Sequence, residues 1–386
     1  MQDDYSVNTR NYGIDLLRIL SMFYVLILHS LGKGGILKTV EPGSAQFAAA
    51  WFLEVVAHTA VDIFALISGY VSYRPKYKKV NFTNYVMLWL QVVSYGIVIS
   101  IIGKILIPAA VTKKDLLLTI FPVLNDRYWY FTAYTAVFAI SPLINKAIRS
   151  ASEELLRKIF VVIIIVFSFF DNVAKRFTLD GGYAFVWIAL LYVLGAILKK
   201  CQIGKNRGSL RLIMWISLLT IIGWIWKIWG LEFTFMKVEV TKGLFVSYTS
   251  PTVLISSICY VLLFSRFNIN GLFKKVIAFA APGAFAAYII NNHFFIWRNL
   301  MDGRFASLAN KNFVFMLFVV INFSAGFLVL SVFADKIREY FFSALRIKKA
   351  VEGIVCILRR PAAADALASG RCAAGTAGCF NRRFSD

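Results

Sequence analysis

The feature that most constrains this chain is a succession of stretches, each about 20 residues long, in which apolar side chains run almost unbroken between short charged segments. An unpaired backbone N–H or C=O in hydrocarbon costs several kcal/mol, so such a stretch crosses a bilayer as a helix, which satisfies those groups internally. The runs predict helices at 12–31, 48–72, 82–107, 128–148, 157–172, 182–198, 210–230, 245–265, 278–298 and 312–334. The expected fold class is all-α, a polytopic integral membrane bundle of about ten transmembrane helices.

Composition agrees with this reading. Of 386 residues, 59% are hydrophobic and 16% charged, a balance that a water-soluble core of this size could not hide. The net charge of +22 is scattered through the loops. It reads as topology signal and as contact with anionic lipid headgroups, not as a nucleic-acid surface. Loops after the even-numbered spans carry 16 Lys and Arg and the opposite loops 14, and Arg10, Lys336, Arg338, Arg346, Lys348 and Lys349 add to the first set. This bias places both termini in the cytoplasm of a multi-pass cell-membrane protein.

The start, Met1-Gln2-Asp3-Asp4, is acidic and no small-residue cleavage site follows the first run, which is therefore expected to stay as a helix. The five cysteines stand far apart or in the tail, with no Cys-x-x-Cys pair and no adjacent His, so neither a metal site nor a disulfide framework is expected. From Val351 the composition turns to Ala, Gly, Arg and Cys. Residues 346–386 are expected to be a cytoplasmic tail, either disordered or of aberrant origin.

Ionisable residues inside spans are costly and mark candidate sites. The first span contains Asp15, Arg18 and His29. At 100° per residue Arg18 and His29 differ by about 20° and lie about 16 Å apart along the axis, with Asp15 one turn before Arg18 on the same face. Arg18 could alternatively be an anchor snorkelling to headgroups, and a lone His a structural hydrogen-bond partner. The second span offers His58 and Asp62 at i, i+4, where a carboxylate could fix an imidazole, or where both could form a structural clamp between helices. Ser68 and Gly69 follow, allowing close helix approach. Arg127, Tyr128, Trp129 and Tyr130 open the fourth span as an aromatic belt or a carbohydrate- or thioester-binding platform. Tyr288, Asn291, Asn292 and His293 concentrate polar groups in the ninth.

Together these blocks resemble the acyltransferase 3 family of integral membrane acyltransferases over most of residues 10–340. The first helix of that family carries a basic residue, ten residues, then His, with an acidic residue before them; Asp15, Arg18 and His29 match. Asp62 through Ser68-Gly69-Tyr70 is similar to its second-helix block, and Tyr128-Trp129-Tyr130 through Ser141-Pro142-Leu143 to its Trp-Tyr to Pro-Leu helix. The ninth span departs: many members read Tyr-Leu-Ile-His, whereas this chain has Tyr288-Ile289-Ile290-Asn291, with His293 two places later.

The resemblance implies a transmembrane acyltransferase domain over 1–345. It would transfer an acyl group, often acetyl, from cytoplasmic acyl-CoA as donor substrate, with no bound cofactor, to a hydroxyl of a cell-envelope glycan or lipid-linked sugar. His29 would be general base or transient acyl carrier, and Asp15 and Arg18 would hold the helix face and meet a CoA phosphate. His58, Asp62, Ser68, Arg127, Tyr128, Trp129, Tyr130, Tyr288, Asn291 and His293 are expected to line the substrate path. With no esterase-like domain after the bundle, a stand-alone transferase or one served by a separate partner is expected. The competing reading is a secondary transporter or flippase that relays protons through His29, Asp62 and Arg18, and a broken fourth or ninth span would favour it.

Overall fold

In a computed structural model of the protein, residues 10–75, 82–235 and 238–358 are described; the acidic start at residues 1–4, then Lys76, Lys78, Lys79 and Lys237 of the charge count, and tail residues 359–386, lie outside them. The architecture is an all-α membrane bundle. In chain order its main helices are α1 (Tyr12–Leu31), α2 (Ala45–Ala57), α3 (Ala60–Ser72), α4 (Phe82–Leu106), α5 (Lys113–Ile120), α6 (Trp129–Ser150), α7 (Glu153–Val162), α8 (Phe185–Lys200), α9 (Ser209–Trp229), α10 (Pro251–Phe264), α11 (Gly271–Ala280), α12 (Ala284–Asn291), α13 (Phe313–Ala344) and α14 (Ile347–Leu358). A small hairpin pairs β1 (Phe233–Phe235) with β2 (Val238–Val240), Phe233 opposite Val240. The described residues fall into two compact units, one drawn from 10–75, 92–235 and 238–336 and a second from 82–91 with 337–358. All the site geometry below belongs to the first. The expected tail begins with α14.

Among the described residues, seven helical stretches are long and apolar enough to cross a membrane: Tyr12–Thr39, Ala45–Ser72, Phe82–Leu106, Trp129–Ser150, Ser209–Trp229, Gly271–Asn291 and Phe313–Ala344. The other three expected spans are helical but shorter or interrupted. At 157–172, α7 passes into a π-helical stretch, Ile163–Phe170, while α8 and α10 have 16 and 14 residues. Ile213, Leu218 and Ile225 of α9, and Phe315, Phe318 and Leu330 of α13, stand exposed, a surface suited to lipid and not to water.

Helices α1 and α3 lie at the centre. Leu17, Leu26 and Leu31 of α1 and Ile63 and Leu66 of α3 are fully buried. Close crossing of α3 with α8 is made possible by reciprocal glycines: a Cβ on Gly69 would lie 1.9 Å from the Tyr192 carbonyl oxygen, and one on Gly195 2.0 Å from that of Leu66. The close approach read from Ser68-Gly69 is therefore carried by Gly69, while the Ser68 hydroxyl donates to its own helix, to the Phe64 carbonyl at 3.0 Å. The Lys200 ammonium at the end of α8 donates to the carbonyls of Ile148, Arg149 and Ala151, satisfying acceptors left open where α6 ends.

Candidate functional site

Helix α1 begins where Asn11 Oδ1 accepts the Ile14 N–H at 3.0 Å. One turn on, the buried Asp15 carboxylate is clasped from both sides, by Arg18 Nη1 at 3.0 Å and by Arg10 Nε. The pair expected from the i, i+3 spacing is thus formed. Around it opens a cavity of about 510 Å³ lined by Arg10, Arg18, Arg74 and Lys199, with Asp15 as the one carboxylate among the described lining residues. Tyr70 and Tyr73 contribute rings, and Lys199 Nζ sits 4.8 Å from the Tyr70 ring centre. Four cationic side chains around one recess suit an anionic ligand.

Eleven residues along the same helix, His29 faces a second cavity, of about 340 Å³. Its Nδ1 lies 2.6 Å from Asn291 Oδ1 at the end of α12. With the amide oxygen as acceptor, Nδ1 is the donor, and in the neutral imidazole of that tautomer Nε2 is the nitrogen with the lone pair. Trp297 meets the imidazole edge-on, with ring centres 4.8 Å apart. The cavity wall is a chain of aromatic contacts from Tyr288 to Tyr130 (6.3 Å), Tyr130 to Trp129 (5.6 Å), Trp129 to Tyr183 (4.7 Å) and Tyr183 to Tyr248 (5.3 Å). The Tyr288 hydroxyl also accepts the Tyr130 backbone N–H at 3.2 Å, capping the start of α6 and fixing the platform.

The three residues grouped as catalytic therefore divide between two cavities, Asp15 and Arg18 in one and His29 in the other. Trp129 and Tyr288 also line a third, outer cavity of about 640 Å³, together with Arg127 and Tyr128. Arg127 there holds Asp115 at 2.9 Å and packs 4.5 Å from the Phe294 ring centre.

Three expected site residues sit elsewhere. Asp62 does not pair with His58: the two lie on either side of the junction between α2 and α3 at His58–Thr59, and each has another partner. Asp62 is wholly buried behind the cavity wall and accepts the Trp187 indole N–H at 3.0 Å. His58 faces the cavity with a different carboxylate, Glu54, whose Oε1 is 3.6 Å from its Nδ1. Sequence reading missed Glu54, although an acidic residue inside a span one turn before a His was a visible signal. Ser68 does not line the cavity; its hydroxyl donates to Phe64 and lies beside that of Tyr130, behind the wall. His293 is buried away from His29: its Nδ1 accepts the Phe295 N–H, and Nε2 lies 3.2 Å from both the Gly96 carbonyl and Ser100 Oγ. The ninth span breaks at Asn292–His293, so His293 caps the next turn instead of continuing the face of Asn291.

Among the described residues no group of three or more His, Cys, Asp or Glu could hold a metal ion. Comparison with curated proteins and with solved structures finds no match in either. One family model, described as Acyltransferase domain, matches residues 11–334 and so spans α1 through most of α13, taking in both inner cavities. The chain belongs to that family, the acyltransferase 3 family, and is a membrane acyltransferase.

Proposed function

We propose that the protein moves an acetyl group from acetyl-CoA to a hydroxyl of a cell-envelope glycan or lipid-linked sugar, in the cell membrane and with both termini in the cytoplasm. The observation that carries this reading is the placement of two unlike cavities at the two ends of α1. The basic one, with Arg10, Arg18, Arg74 and Lys199, suits the phosphates of a CoA donor. The aromatic one, with His29 at its edge, suits a sugar ring and the chemistry. An extended pantetheine arm covers the roughly 16 Å of helix between Arg18 and His29.

In this mechanism Nε2 of His29 takes the proton of the acceptor hydroxyl as its oxygen attacks the thioester carbonyl carbon. The tetrahedral intermediate collapses, the C–S bond breaks, and the imidazolium returns its proton to the departing CoA sulfur. Asn291 holds the ring in the tautomer that leaves Nε2 free. In the covalent variant Nε2 of His29 attacks the thioester carbon and the C–S bond breaks to release CoA thiolate; the acceptor oxygen then attacks the acetyl-imidazole carbon, the C–N bond breaks, and the hydroxyl proton passes to the thiolate.

The break at Asn292–His293 is the feature that would favour a transporter or flippase. Here the His293 ring fills that break, and consumption of acyl-CoA separates the two readings. The test is release of free CoA thiol by purified protein in nanodiscs offered acetyl-CoA and a panel of envelope-type glycans, wild type beside His29→Ala. Release that needs both His29 and an acceptor supports transfer. Silence with acetyl-CoA and with longer acyl-CoA donors overturns it.

A further inference from the structure

We infer that Glu54 and His58 form a subsite for the acceptor's sugar ring, one that takes a ring presenting hydrogen-bond donors, hydroxyl or ammonium, and disfavours a ring carrying an anionic group. The inference deepens the proposed function and rests on it for the identity of the occupant as acceptor.

Glu54 lies inside a membrane span, is 7% exposed, and lines the same cavity as His29 from a different helix. Its Oε2 has no hydrogen-bond partner, and its Oε1 is too far from His58 Nδ1, at 3.6 Å, for a good hydrogen bond. A buried carboxylate can only accept hydrogen bonds, and leaving it unsatisfied is costly, so the protein retains here an acceptor that needs a donor from outside itself. The surrounding cations do not supply it. Lys227 acts on Glu54 electrostatically, but its ammonium sits over the Trp51 ring, 3.9 Å from the centre. Lys33, also at the cavity, is bound to Asp302 at 2.9 Å.

Beside this carboxylate, His58 stacks on Tyr248 with ring centres 4.7 Å apart and planes 26° from parallel, and Tyr248 continues through Tyr183 to Trp129. Aromatic faces next to an acceptor-only group match a pyranose, which offers C–H faces to the rings and O–H or N–H groups to the carboxylate. A uronic acid or phosphorylated sugar would bring like charge to Glu54.

The test uses the full chain in nanodiscs with methyl glycosides of a neutral hexose, a 2-amino-2-deoxyhexose and a hexuronic acid. Two readouts are taken: CoA release, and quenching of tryptophan fluorescence in the absence of donor. Glu54→Gln is expected to raise the acceptor KM and the glycoside Kd on the order of tenfold or more, with the acetyl-CoA KM unmoved and Glu54→Asp intermediate. The hexuronic acid is expected to bind wild type worst, and to lose that disadvantage in Glu54→Gln. An unchanged acceptor KM and Kd in Glu54→Gln, or a hexuronic acid preferred by wild type, overturns the subsite. Glu54-dependent binding without any CoA release keeps the subsite and overturns the transferase reading instead.

Discussion

Asn291 holds His29 Nδ1 at 2.6 Å across 262 positions of sequence, at the place where α12 ends. The contact joins the first span to the ninth and holds the imidazole at the cavity edge. Asn291→Leu removes the acceptor while keeping the volume similar, and the ring then loses its fixed tautomer. We expect kcat to fall on the order of 10- to 100-fold with the donor KM little changed. His29→Ala should fall further, on the order of 10² to 10⁴. Steady-state CoA release for the two variants and their double mutant checks this: the double mutant should be no worse than His29→Ala.

Arg18 presents a different prediction because it lies in the basic cavity and not in that of His29. Its guanidinium is oriented by Asp15, which in turn is held by Arg10. Arg18→Lys keeps the charge but loses the planar fork, so it should raise the acetyl-CoA KM on the order of tenfold while kcat at saturating donor stays near wild type. An equal fall in kcat with unchanged KM would move Arg18 to the chemical step.

These two residues show what the sequence made legible. A bilayer forces apolar runs to be helices, so the bundle could be read directly, and so could the placing of Arg18 and His29 eleven residues apart on one unbroken helix. What failed was continuity. The interruptions at His58–Thr59 and Asn292–His293 occur without Gly or Pro at the break, in segments whose apolar character runs straight on. The break at Asn292–His293 moved His293 off its expected face, and Asp62 went to the Trp187 indole, a tertiary partner, instead of His58. The Asn291 contact is tertiary and has no local signature.

His293 therefore yields a stability prediction. Its ring satisfies the Phe295 N–H on one side and faces Gly96 and Ser100 of α4 on the other, at 2% exposure. His293→Ala leaves those groups unpaired and should destabilise the protein by about 1–3 kcal/mol. Thermal unfolding in detergent should show the loss, while kcat per folded molecule remains wild type. A kcat loss matching that of His29→Ala, at wild-type stability, would return His293 to the site.

The α3–α8 crossing predicts a sharper effect from a smaller change. A single methyl at Gly69 would overlap the Tyr192 carbonyl, which is backbone and cannot swing aside. Gly69→Ala should cost about 1–3 kcal/mol through overpacking, more if the helices must separate, and lower the yield of folded protein. Gly43→Ala meets nothing within 4 Å and is the control for space alone, although its φ of +85° adds backbone strain. Gly208→Ala also meets nothing, without that strain, and should leave the yield intact.

Asp115 makes a prediction about pH. It lies in α5, outside the spans, where burial by itself would raise its pKa. The hydrogen bonds from Thr112, which it completes as a capping box, and from Arg127 outweigh burial, so its pKa falls below the ordinary 3.8. Because the folded-state value is depressed, the stabilisation is fully present above 3.8 and is lost as pH falls through the folded value. Asp115→Asn, which cannot carry the charge, should be less stable than wild type at neutral pH. The gap in melting temperature between the two should hold constant from pH 7 to about 5 and close below 3.8. A gap that stays open in acid would mean that shape at the cap, and not the carboxylate charge, fastens Arg127 at the mouth of the outer cavity.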